Sequence, residues 1–400
     1  MTNRNVPKLR FPEFTDEWNS LSLNDVSNDC SYGVSASATE FDREYKYIRI
    51  TDIDDDTHKF TPSPLVSPKG DIDSKYILHE GDLVFARTGA TVGKSYLYEP
   101  SDGTLVYAGY LIRFHIDRAV PKFIFYLTNR SYYWNWVSIM SVRSGQPGIN
   151  MEEYKKLPII IPSNHEQEKI TSFLSKIDKK IDLLRDKKDE YIEFKRYLLQ
   201  NLFPQNGETA PKLRFTEYHD EWKIIKLGNI VNIRSGESPK NLLSNNGTIP
   251  YFKVDHLNST SKYLQDTEYY IHPMEKIVPQ GSIIFPKRGM SILQNKIRIL
   301  KQDSYMDTNL MTLTIKPTYN NEFIYYYLTK ENLSKIADAT SIPQLNNKHI
   351  NPYKIKLPKI EEQCKIASFL SFVDKKIDLL YQEIEYVEEY KKGLLQKMFI

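Results

Sequence analysis

Cysteine is nearly absent from this sequence: Cys30 and Cys364 are the two thiols in 400 residues, one in each half. That excludes a disulfide framework and a cysteine-based metal site, and it fits a reducing cytoplasm. No apolar run approaches the roughly 18 residues that a membrane span needs. The opening stretch Met1–Phe14 carries Pro7, Lys8, Arg10 and Pro12 but no apolar core, so it does not read as a signal peptide. A dominant charge is also missing. Lys and Arg number 54 against 51 Asp and Glu, and the net +3 neither requires nor excludes a polyanionic partner. Tyrosine is plentiful, at 28 residues, but suits a core and an interface equally well.

What the sequence does contain is itself, twice. Val6-Pro-Lys-Leu-Arg-Phe-Pro-Glu-Phe-Thr-Asp-Glu-Trp18 recurs as Ala210-Pro-Lys-Leu-Arg-Phe-Thr-Glu-Tyr-His-Asp-Glu-Trp222. Gly81-Asp-Leu-Val-Phe-Ala-Arg-Thr-Gly89 returns as Gly281-Ser-Ile-Ile-Phe-Pro-Lys-Arg-Gly289. The segments opening at Glu166-Gln167 and Glu362-Gln363 agree best, through Ile-Asp-Leu-Leu at 181–184 and 377–380. A repeat of this length, spanning the whole chain, is a duplication.

Each copy has two parts. The first alternates short apolar runs with Gly, Pro and Asn turns, as strands do, with helices expected near Lys122–Asn129 and Glu322–Lys335. The second lacks Gly and Pro for long stretches and follows a heptad. In the first copy Ile170, Ile177, Leu184, Tyr191 and Leu198 fall seven apart, beside Leu174, Ile181 and Leu202. In the second the rows are Ile366, Val373, Leu380, Val387, Leu394 and Leu370, Ile377, Ile384, Met398, with lapses at Lys188, Lys195 and Lys391 across the two copies. Such a seam needs a partner. Antiparallel packing of the two helices on each other, about a pseudo-twofold axis, answers that need. The alternative is two independent amphipathic helices, each lying on its own domain. A helix of about 33 residues runs roughly 50 Å, past the edge of a small domain. The expected fold is therefore α/β (α+β): one globular domain at 1–160, a central spacer helix at 161–205, a second domain at 206–358 and a C-terminal spacer helix at 359–400.

Familiar catalytic patterns fail on inspection. Gly89-Ala-Thr-Val-Gly-Lys-Ser95 has three residues between its glycines where a phosphate loop needs four, so it reads as a Gly-bearing hairpin, or a basic loop facing a phosphate. Asn351-Pro-Tyr353 lacks a proline of the adenine-methyltransferase motif and reads as a turn into a strand. The Asp52–Asp56 run is expected to be a solvated loop rather than a metal site. The eight histidines form no triad. No catalytic or metal site is expected.

Basic and polar loops at matching positions remain. Arg87, Thr88, Lys94 and Ser95 in the first copy answer Lys287, Arg288 and Lys296 in the second. Ser141–Pro147, with Arg143, Ser144 and Gln146, answers Thr340–Lys348, with Gln344, Asn346, Asn347 and Lys348; Lys253 lies on a further segment. Arg, Lys, Gln and Asn are the side chains that read base edges, while Lys, Ser and Thr suit phosphates.

The doubled Pro-Lys-Leu-Arg-Phe opening, the Ala86–Lys94 loop, Gln146-Pro-Gly-Ile-Asn150, and Leu157-Pro158 and Leu357-Pro358 ahead of the Glu-Gln helices resemble the DNA-specificity subunit of a type I restriction–modification system. The resemblance implies two target recognition domains, each binding half of a bipartite site in double-stranded DNA, and an antiparallel helical spacer. It also implies two modification subunits carrying S-adenosylmethionine and the methyltransferase site, and restriction/translocase subunits using ATP and Mg. No cofactor is expected in this chain, nor any membrane partner. The helix rows Ile170, Leu174, Ile177, Ile181, Leu184 and Ile366, Leu370, Val373, Ile377, Leu380 are the expected coiled-coil and partner surface. The second copy departs from the pattern by replacing Gln-Pro-Gly with Ile342-Pro-Gln-Leu and lacking the Gly-Lys of the first loop. Two other readings stay open: a stand-alone methyltransferase or nuclease, and a protein-binding scaffold.

Overall fold

The computed structural model describes residues 5–205, 207–238, 246–259, 261–273, 277–338 and 342–400. Thr340 and Ser341 of the second polar loop lie outside these ranges, as do residues 1–4 and Asn206. Two β-rich domains are each followed by a long helix, Asn164–Asn201 and Ile360–Met398. The chain divides into two compact units, 1–182 with 385–400 and 183–384, so each unit holds part of both long helices.

In the first unit a four-stranded antiparallel sheet runs in the order Ser27–Tyr32, Leu111–Ile116, Asp82–Ala86, Ser95–Leu97. Leu83 and Phe85 face the helices Pro121–Leu127 and Ser131–Met140 in the larger core; Val84 and Ala86, on the opposite face, join Tyr107 and Leu111 in a smaller one. This is the period of two a sheet buried on both faces requires. The second unit repeats the plan with Val231–Ser235, Leu310–Ile315, Ile283–Pro286 and Arg298–Leu300, and adds Tyr263–Leu264 as a parallel edge. Its helix Asn321–Glu331 and the 3₁₀ turn Leu333–Ile336 cover the segment expected as one helix, because Asn332 interrupts it at positive φ. Helix Ser131–Met140 is one the periodicity did not single out; its aromatic run packs in part through Tyr133 and Trp136, beside Val137.

The duplicated motifs hold each other. In the first unit the Arg10 guanidinium grips Glu166 at the start of the long helix with two 2.8 Å hydrogen bonds and reaches the Asp16 carbonyl. In the second, Arg214 does the same with Glu362 and the Asp220 carbonyl. Gln167 and Gln363 each donate to the proline carbonyl five residues earlier, Pro162 and Pro358. Thus the Pro-Lys-Leu-Arg-Phe stretch and the Glu-Gln helix start are two halves of one joint.

The heptad rows face inward. Ile170, Leu174 and Ile181 are buried, Ile177 and Leu184 partly so, and Ile366, Leu370, Val373, Ile377 and Leu380 are buried. In the first unit the beginning of the first long helix shares a core with Leu394, Leu395, Met398 and Phe399 from the end of the second. In the second unit Leu198, Leu202 and Phe203, at and just beyond the end of the first helix, share a core with Ile366, Leu370 and Val373 from the start of the second. Start pairs with end in both units, so the helix segments pack antiparallel.

Candidate nucleic-acid interface

The hairpin between Asp82–Ala86 and Ser95–Leu97 is closed by hydrogen bonds from Gly93 N to Ala86 O and from Ala86 N to Lys94 O. Gly89 and Gly93 both have positive φ, 80° and 92°, and a Cβ on Gly93 would meet Val137 Cγ1 at 2.7 Å. Those glycines answer backbone conformation and packing against Ser131–Met140, the hairpin reading of the sequence.

A second loop lies against this hairpin. Gly89 N donates to Pro147 O at 2.9 Å, Ile149 N to Arg87 O at 2.9 Å, and Thr88 bridges Gly148. The second unit reproduces the arrangement. Gly289 N donates to Pro343 O at 3.0 Å, Leu345 N to Lys287 O at 2.9 Å, and Arg288 bridges Gln344. Both second loops then enter a short helix through a capping box, Asn150 with Glu153 and Asn346 with His349. Two loop pairs that the sequence treats as separate polar stretches are therefore one paired surface in each unit, although Gln-Pro-Gly has become Ile-Pro-Gln.

The candidate side chains have different fates. Arg87, Thr88, Lys287, Arg288, Gln344 and Asn346 sit on the paired loops and are at least partly exposed; Ser144, Gln146, Asn347 and Lys348 are exposed beside them. Lys348 lies 3.3 Å from Asp338. Arg143 is exposed but engaged: its guanidinium bonds both Glu153 oxygens and the Met140 and Val142 carbonyls.

Lys94 and Ser95 are corrections. Lys94 is buried, donating to the Ile53 carbonyl at 2.8 Å and pairing with Asp55, and Ser95 is enclosed against Thr128. In a hairpin strand, successive side chains and the local core decide the direction, and here Lys94 straps the 52–56 loop to the sheet. That loop is correspondingly less solvated than expected, with Asp52 buried and paired to Arg49. Among the described residues no group of His, Cys, Asp and Glu could hold a metal ion. Lys253 and Lys296 also lie off the paired loops. Lys253 begins a 3₁₀ turn with its ammonium over Tyr269, 3.3 Å from the ring centroid, and Lys296 contacts Asn258.

Composition does not point to Tyr32 and Tyr110, which flank Arg87. Arg87 N donates to Tyr110 O at 3.1 Å, and the Arg87 guanidinium lies against both tyrosine rings. The one trace in the sequence is that each adjoins a glycine, Gly33 and Gly109, at a close approach of two backbone segments. Burial holds the Lys287 ammonium below the ordinary lysine pKa, with Arg288 adding repulsion.

Comparisons with known proteins agree over nearly the whole chain. It is 24% identical over 409 aligned residues to the MjaX type I restriction specificity subunit assigned in Methanocaldococcus jannaschii, covering 98% of this chain and 95% of the relative. It is 19% identical to that organism's MjaVIII specificity subunit, covering 80% of this chain and 78% of the relative. The crystal structure of a type I restriction–modification S subunit from M. genitalium superposes with a TM-score of 0.63 at 17% identity, covering 99% of both chains. Residues 15–193 and 219–389 each match the model of the type I restriction modification DNA specificity domain, and the chain belongs to that family.

Proposed function

We propose that each paired-loop surface reads one half of a bipartite duplex site, and that the long helices set the distance between the halves. The chain is the DNA specificity subunit of a type I system with two target recognition domains, and such subunits are not themselves catalytic and carry no cofactor of their own. The finer assignment rests chiefly on one observation. The same backbone pairing of loops recurs in both units while the side chains on it differ. A common scaffold with unlike polar faces suits two readers of unlike sequences.

On this reading residues 1–160 and 206–358 are the readers, and 161–205 and 359–400 the spacer. Two modification subunits bring S-adenosylmethionine, restriction/translocase subunits bring ATP and Mg, and the assembly works in the cytoplasm. No helix among the described residues is long and apolar enough to cross a membrane. The test is to exchange residues 1–160 for the corresponding domain of a relative and map methylated adenines in cells expressing the assembled complex. One half-site should change and the other stay. An unchanged pair of half-sites would refute the assignment.

A further inference from the structure

The paired loops hold one guanidinium in a manner unlike the others. Arg87 Nε donates to the Gly109 carbonyl at 3.0 Å, and its Cζ lies 4.9 Å from the Tyr32 ring centroid and 5.8 Å from that of Tyr110. Tyr32 is itself fixed, its hydroxyl accepting from Met151 N at 3.1 Å. Among the described residues no hydrogen bond or ion pair reaches Arg87 Nη1 or Nη2. The side chain is therefore anchored at its inner nitrogen and held against two tyrosine rings, with its outer fork unspent. Arg143, the second arginine of the first unit's paired loops, has its fork filled by Glu153.

Building on the two-reader assignment, we infer that Arg87 is the principal base-reading residue of the first domain and that the base is guanine. A phosphate needs only a cation within reach, and a mobile lysine or arginine supplies that without preorganisation. Contacts with two aromatic rings and an Nε anchor instead restrict the orientation of the guanidinium. A planar fork so held, with two free donors, matches the two major-groove acceptors of guanine, O6 and N7, and matches no single edge of the other three bases as well. The second unit supports the position. Lys287 occupies the same backbone site, donating from N to the Asn309 carbonyl as Arg87 does to Tyr110, and receiving Leu345 N as Arg87 receives Ile149. Both units thus present a cation from the residue two before the loop glycine. In the second it is a point charge without the planar fork, so the two half-sites should differ in how sharply guanine is demanded there.

The test uses the specificity subunit assembled with its modification subunits, and DNA carrying the mapped site. In the wild-type complex each guanine of the first half-site is replaced in turn by 7-deazaguanine, which removes the N7 acceptor. One position should weaken binding roughly tenfold or more. Arg87→Lys and Arg87→Ala should lose discrimination at that same base pair by roughly tenfold to a hundredfold, consistent with one bidentate contact. The second half-site, read in the same complexes, should remain intact and reports that the chain is folded. The inference is overturned by insensitivity to every 7-deazaguanine in the first half-site. It is equally overturned if Arg87→Ala weakens binding to all sequences alike, which would mark a phosphate contact while leaving the two-reader assignment standing. If instead exchange of the whole first domain leaves both half-sites unchanged, the two-reader assignment itself fails.

Discussion

Lys195 of the first long helix and Asp374 of the second meet at 2.6 Å, at a place where the heptad pattern lapses. In the other unit Lys391 and Asp178 meet at the same distance with the roles of the helices reversed. Two of the three lysines that interrupt the apolar rows thus make cross-helix ion pairs, while Lys188 pairs with Asp189 on its own helix. Each cross-helix aspartate also accepts a tyrosine hydroxyl from its globular domain, Tyr326 on Asp374 and Tyr126 on Asp178. A polar pair inside an apolar seam fixes register, because sliding either helix would strand a charge.

The two pairs should differ in worth. The Asp374 side chain is 9% exposed and also lies 3.8 Å from the buried Lys262 ammonium, whereas that of Asp178 is 24% exposed. Asp374→Ala should cost about 1–3 kcal/mol by leaving buried donors unmatched. Asp178→Ala should cost about 1 kcal/mol or less from its more hydrated pair. Urea unfolding of the two variants measures both, and equal costs would show that burial does not set the difference.

Removing Arg10 or Arg214 should be more damaging. Each leaves a carboxylate that is 2% exposed, Glu166 or Glu362, without its counter-ion. Loss of one partner of a buried pair typically costs about 3–5 kcal/mol. Arg10→Ala should therefore lower the unfolding midpoint sharply. Combining it with Glu166→Gln should recover part of the loss, because the uncompensated charge is gone; no recovery would mean that packing of the arginine stem is what matters.

The loop glycines separate conformation from crowding. Gly89→Ala places a Cβ 3.0 Å from the flexible end of Gln146 at φ 80°, so about 1 kcal/mol is expected from the backbone alone. Gly93→Ala meets Val137 and should cost more, with roughly 1–3 kcal/mol from overpacking added to the same backbone penalty. Thermal melts should rank Gly93→Ala below Gly89→Ala, and the reverse order would contradict the packing of Ser131–Met140 on the hairpin.

His58 gives the first unit a pH dependence. Its ring lies 2.9 Å through Nδ1 from the Ser95 carbonyl and is edge-on to Phe125; burial, opposed by that hydrogen bond and aided by Lys94, lowers its pKa from the ordinary 6.5. A lowered folded-state value means that the unfolded chain takes up the proton first as pH falls. The stability this neutral ring confers is thus full above about pH 6.5 and declines as pH drops toward the folded-state pKa. His58→Gln should flatten the stability profile in that window, and an identical slope in both proteins would remove His58 as its source.

Spacer length can be altered without disturbing the seam phase. Inserting one heptad into each long helix, after Asp182 and before Glu385, adds about 10 Å of helix. At about 3.4 Å per base pair that corresponds to about three base pairs. Methylome mapping should then return the same half-sites with a wider gap. An altered half-site at an unchanged gap would refute the spacer role.

The sequence alone determined the duplication, the antiparallel helical seam and the hairpin nature of the Gly89–Ser95 loop. These follow from local backbone geometry: a period of seven for paired helices, a period of two for strands, and glycine where φ is positive or space is short. It also exposed the motifs at 6–18 and 166–167 as repeats, but not that Arg10 and Glu166 grip each other across 156 residues. Only the tertiary structure decided which cations are spent. Lys94 and Arg87 look alike in a basic loop, yet one is buried against Ile53 and Asp55 while the other keeps an open fork beside two tyrosines. The direction of a side chain depends on which distant segment closes over it, and no local pattern carries that information.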